Sequence, residues 1–77
     1  MSARKRSITI GGHRTSFTLE DAFYAELERL AAETGMTIAG MVGMIDAGRP
    51  PGTNLSSAIR LHILEQLQRA RSRQTPL

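Results

Sequence analysis

The sequence predicts an α+β, mainly helical chain, and three observations predict it. Residues 6–19 are rich in Ile, Thr, Ser and Phe and alternate apolar with polar side chains, which is the period of an extended strand. Beyond them, three segments repeat apolar residues every three or four positions, the period of a helix packed on one side. Breaks at Gly35 and at "AGRPPGTN", Ala47 to Asn54, separate these segments.

The extended segment contains a change of phase. Ile8 and Ile10 fall on even positions, Phe17 and Leu19 on odd ones, with Gly11-Gly12 between. A single unbroken strand would place the two pairs on opposite faces. A two-residue hairpin turn at the glycines would set Ile10 against His13, Ile8 against Thr15 and Arg6 against Phe17, and so unite the apolar pairs. A bulge at the same place would restore the phase in a longer, bent strand. Either solution leaves Ser7, Thr9, Arg14, Ser16 and Thr18 on a shared polar face.

Helical signals follow at once. Thr18 with Asp21 three residues on has the form of a capping box, and Leu19, Phe23, Leu27, Leu30 and Ala31 then mark one face. Gly35 suits the left-handed residue that ends such a helix. Thr37 caps a second helix, in which Ile38, Met41, Val42 and Ile45 share a side; Gly40 and Gly43 within it each cost about 1 kcal/mol relative to Ala, so it needs a packing partner. Asn54 caps a third, with Leu55, Ile59, Ile63 and Leu67 every four residues and Leu61 and Leu64 widening the stripe. The expected divisions are a basic arm over 1–5, a core over 6–47, a Pro/Gly linker over 48–53, a C-terminal helix over 54–70 and a frayed tail over 71–77.

Seventy-seven residues bound one small domain, a size that usually calls for disulfides, a metal or oligomerisation. Cysteine is absent, and His13 and His62 are 49 positions apart with no ligand-like cluster around either, so oligomerisation is the support that remains. The same sparseness argues against an enzyme, a cofactor or a metal site, and Gly11-Gly12 is too short for a phosphate loop. No apolar run approaches the roughly 20 residues of a membrane helix, and "MSARKRS" has no apolar stretch behind it, so a cytoplasmic protein is expected. The net charge of +3 divides into +4 over residues 1–19, −5 over 20–47 and +4 over 48–77. Basic ends around an acidic middle suggest one surface for a polyanion and another kept off it.

The order of basic extended segment, capped helix, glycine turn and capped helix, carried by "RTSFTL", "EDAFYAELERLAAETG" and "GMTIAGMVGMID", resembles the ribbon-helix-helix family of bacterial DNA-binding proteins, which includes the Arc and methionine repressors. The opening "KRSITIGGHRTSFTLEDAF" is similar to a bacterial subfamily with an added C-terminal segment. The resemblance implies a homodimer in which two chains pair their ribbons in the major groove of double-stranded DNA, with higher-order assembly on DNA as an extension. Arg14, Ser16 and Thr18 then match the three base-reading positions, and Phe17, Leu19, Phe23, Leu27, Leu30, Ile38, Met41, Val42 and Ile45 form the dimer core. The amides at Met36 to Ala39, with Thr37 and Ile38 at their centre, correspond to the family's grip on a phosphate. Arg4, Lys5 and Arg6 would add phosphate contacts.

Two functions are consistent with this pattern. One is a sequence-specific transcriptional regulator, most simply a repressor. The other is an antitoxin-like interaction protein whose residues 54–77 bind a protein partner. Thr15 in place of an inward apolar residue, Gly40 and Gly43 in the central helix, and the third helix itself all depart from the minimal family pattern.

Overall fold

A computed structural model describes residues 2–74. It contains strand β1 (Ala3–Ile10), strand β2 (His13–Glu20), and helices α1 (Asp21–Thr34), α2 (Ile38–Ala47) and α3 (Leu55–Gln74). The two strands form an antiparallel hairpin in which Ile10 pairs with His13, Ile8 with Thr15 and Arg6 with Phe17. Gly11 and Gly12 take φ of 55° and 82°, both central residues being left-handed as a type I′ turn requires. The phase change is therefore a hairpin and not a bulge. Ile8, Ile10, Phe17 and Leu19 all face the helices, with Phe17 and Leu19 buried. Both strands of this hairpin come from one chain.

Strand pairing extends further towards the N-terminus than expected. Residues 3–5, read from sequence as part of a basic arm, pair with Thr18–Glu20; a run of basic residues carries no local sign of ladder partners 13 to 17 residues on. Pairing also overrides the cap read at Thr18. β2 runs on to Glu20, which is the N-cap residue of α1 in extended conformation and makes no side-chain cap hydrogen bond. Thr18 is held in register opposite Lys5, two residues too early to cap.

The remaining caps are as the sequence suggests. Gly35 ends α1 at φ 71°, its amide and that of Met36 bonding to Ala32 and Ala31 carbonyls. Thr37 Oγ1 accepts from the Gly40 amide at 2.9 Å, and Asn54 Oδ1 accepts from the Ser57 amide at 2.8 Å. Helix α3 runs through residues 71–74, part of the tail expected to fray; the Glu65–Arg69 pair one turn apart and the basic last turn both favour helix there. Residues 75–77 lie outside the described residues.

The core lies between the hairpin and the three helices. Among the described residues, Phe17, Leu19, Leu27, Leu30, Ala31, Met41, Val42, Ile45, Ala58, Ile59 and Ile63 are buried, and Phe23, Ile38, Ile8, Ile10 and Leu55 pack half-buried against them. Nine of these had been read as the seam of a dimer core; seven are buried and two, Phe23 and Ile38, half-buried, with α3 covering one side and β1 another. Gly43 admits β1 onto α2, since a Cβ there would stand 3.2 Å from Ile10 Cγ2. Leu61 and Leu64 do not widen the buried stripe. They lie 60% and 48% exposed, on the side of α3 turned from Ile59 and Ile63.

Candidate nucleic-acid interface

Strand alternation sorts the hairpin's side chains into two rows. The inward row carries Ile8, Ile10, Phe17 and Leu19. The outward row consists of Lys5, Ser7 and Thr9 on β1 and Arg14, Ser16 and Thr18 on β2, and each of these six is exposed. Directly opposed across the ladder are Lys5 with Thr18, Ser7 with Ser16, and Thr9 with Arg14. Two cations and four hydroxyl groups thus share a face with no acid between them. Such a face offers donors for guanine O6 and N7, hydroxyls that donate or accept, and threonine methyls for the thymine methyl.

Arg4 and Arg6, expected at phosphates, occupy the inward phase of β1 instead. Arg6 Nη2 bonds to Asp21 Oδ1 at 2.8 Å, and its guanidinium lies 3.8 Å from the centre of the Tyr24 ring. Arg4 Nε approaches the same carboxylate at 3.2 Å while staying largely exposed. Of the three basic residues in the N-terminal run, the structure places only Lys5 beside Arg14, Ser16 and Thr18.

The edge of β2 away from β1 is partly occupied. The Thr18 amide donates to Ser56 Oγ at 2.8 Å, and Arg60 Nη2 donates to the Thr18 carbonyl at 3.3 Å. Arg60 Nε also reaches Glu20 Oε1 at 3.0 Å, and its guanidinium stands 5.9 Å from the Phe23 ring centre. The hydrogen bond from its own backbone amide, then the one from Arg60, holds the Glu20 carboxyl below its ordinary value. The strand end nearest α1 is therefore neutralised and clamped by α3. Sequence reasoning missed this clamp, because its partners are 38 to 42 residues apart and nothing local to Ser56 or Arg60 names a strand edge.

At the start of α2, Thr37 takes the Gly40 amide, and the Met36 amide is spent on ending α1. The first-turn amides of Ile38 and Ala39 have no intrahelical partner and lie at the positive end of the helix dipole. Of the amides in the expected turn, those of Ile38 and Ala39 are left for a partner from outside the helix. Among the described residues no group of three or more His, Cys, Asp or Glu could hold a metal ion, and no helix is long and apolar enough to cross a membrane.

Comparison with known proteins places the geometry in a family. The model of the ribbon-helix-helix domain matches residues 3–67, from the first residue of β1 to well within α3. No curated protein and no solved structure matches the chain.

Proposed function

The chain belongs to the ribbon-helix-helix domain family, and from that premise we propose that it is a sequence-specific DNA-binding protein, a transcriptional regulator of the cytoplasm that acts on its operator as a homodimer. The polar face of the hairpin lies in the major groove, with Arg14, Ser16 and Thr18 at base edges. Lys5 and the start of α2 at Thr37 and Ile38 engage the sugar-phosphate backbone. One observation carries the reading: the outward row of the ribbon is exposed and polar throughout, while Phe17 and Leu19, alternating with it, are 3% and 0% exposed. The side chains available to DNA are thus fixed by a rigid inner row, which is what directional hydrogen bonding to bases needs.

The test is a titration of wild type and Arg14→Ala against random and selected duplexes at two salt concentrations. A bidentate arginine–guanine pair supports roughly 1–3 kcal/mol of discrimination, so the variant is expected to lose sequence preference while keeping most of its nonspecific affinity. Equal weak binding of every duplex by both proteins would sink the base-reading assignment.

A protein partner for residues 54–77 is the second reading, supported by the exposure of Leu61 and Leu64 on the outer side of α3. Because Ala58, Ile59 and Ile63 belong to the core, α3 as a whole is not free to wrap another protein. Any partner is restricted to that outer side. Leu61→Glu with Leu64→Glu should leave folding and DNA binding intact and abolish only a partner complex; unchanged partner capture would refute this reading.

A further inference from the structure

Two arginines on β1 share one acid. Arg4 Nε lies 3.2 Å and Arg6 Nη2 2.8 Å from the same oxygen, Oδ1 of Asp21, the first residue of α1. The group therefore keeps one positive charge in excess. Its two cations are not equivalent. Arg6 lies over Tyr24, 3.8 Å from the ring centre, with its Nε buried and its side chain 21% exposed. Arg4 is 70% exposed, and its Nε alone meets the carboxylate. A guanidinium carries its N–H donors in a fixed plane, so tethering Nε leaves the edge formed by Nη1 and Nη2 to hold a second anion through two parallel bonds.

We propose that Arg4 is a phosphate-binding residue at the flank of the ribbon and that an acid, Asp21, positions it, with Arg6 and Tyr24 holding that acid in place. The inference rests on the DNA-binding reading above and adds to it one contact and the means of its support.

Strand phase identifies the anion. Arg4 and Arg6 pair across the ladder with Leu19 and Phe17, so they belong to the inner face, while Lys5, Ser7 and Thr9 alternate with them on the outward one. A ribbon lying in the major groove, about 12 Å wide, turns its outward row to the base edges and has a sugar-phosphate wall along each side. A side chain of the inner phase is separated from the bases by the ribbon's own backbone. What a long one can reach is the wall. A phosphodiester there brings a single negative charge and a pair of non-bridging oxygens, which match the excess charge of the group and the fork of Arg4.

Asp21 also places a negative charge on this surface, which by itself weakens the attraction for DNA. Its compensating effect is orientation. An exposed arginine on a flexible stem loses rotamer freedom when it binds, and one already tethered through Nε loses less.

The test uses a selected duplex in which one phosphate at a time is replaced by an uncharged methylphosphonate, titrated with wild type and with Arg4→Ala. One position in each half-site should weaken wild type by roughly 3- to 10-fold and leave Arg4→Ala unaffected, and the log-log salt slope of Arg4→Ala should be shallower by about 0.9 per chain bound. If every position that weakens wild type weakens Arg4→Ala equally, no phosphate belongs to Arg4 and the proposal is overturned. Asp21 is tested by two variants of equal charge. Asp21→Asn keeps an oxygen that can accept from Arg4 Nε and Asp21→Ala does not, so the first should bind the duplex roughly 3-fold more tightly than the second. In an Arg4→Ala background the two should bind alike. Equal binding with Arg4 present, or a difference that survives its removal, would overturn the positioning role. Thermal melts of each variant separate these effects from unfolding. Failure of wild type to prefer any duplex in the selection would instead remove the DNA-reading assignment itself, and this inference with it.

Discussion

Arginine at three positions of this chain does three different things, and the place of each in the fold decides which. Arg14 points outward to an open face, Arg6 lies over Tyr24 and is tied to Asp21, and Arg60 reaches across to close a strand edge. Charge counted along the sequence treats them alike. Replacing Arg6 by Ala should cost about 1 kcal/mol through the lost ring contact and ion pair, seen in the denaturant midpoint, with sequence preference on DNA unchanged. Ile59 and Leu61 make a sharper contrast two positions apart. Ile59→Ala should destabilise by about 2–5 kcal/mol, since Ile59 is fully buried, whereas Leu61→Ala should stay within about 0.5 kcal/mol of wild type in the same unfolding assay. The sequence stripe on α3 made these leucines and isoleucines look equivalent. Spacing shows that apolar residues recur, but one helix offers several arcs, and only packing partners select the buried one.

The elements were readable where the signal was local. The glycine pair between two alternating runs allowed a hairpin or a bulge, of which the chain takes the hairpin in the register that unites the apolar pairs, and Thr37 and Asn54 cap the helices they precede. The signal failed at Thr18, where a capping-box spacing is equally local but a ladder to β1 competes for the same backbone and wins. That outcome frees the Thr18 hydroxyl from capping and leaves it on the exposed outward face. Turn chemistry supplies a paired test: Gly11→Asn should be close to neutral, since Asn-Gly suits a type I′ turn, while Gly12→Val forces a β-branched side chain to φ 82° and should lower stability by about 1–2 kcal/mol in thermal unfolding. Thr37→Ala removes the cap of α2 and should cost about 1 kcal/mol in the same assay.

For the molecule as a whole, a thin aliphatic core is assembled from segments far apart in the chain. β1, most of which lies within the expected core, and α3, which lies outside it, both pack on α2. The apolar rows of β1 and α3 were legible in the sequence, but their shared seat on α2 was not, because it depends on contacts between distant parts of the chain. The clamp also links stability to pH. The Glu20 carboxyl is held below its ordinary value of 4.5 in the folded chain, so its contribution is present above that pH and is lost as the pH falls through the lower folded value. Glu20→Gln should therefore narrow the difference in melting temperature between pH 6 and pH 3, and an unchanged difference would remove Glu20 from the account.

The contact of Ser56 and Arg60 with Thr18 has a further consequence in the order of synthesis. A ribosome releases the hairpin first and α3 last, so each nascent chain passes through an interval in which its strand edge is still unguarded. Neighbouring chains on one message are near enough to pair during that interval. A message that terminates early, within residues 48–53, would make the interval permanent. Its product would be a sticky fragment that recruits other chains, and its effect in a cell would be that of a poison rather than of a missing protein.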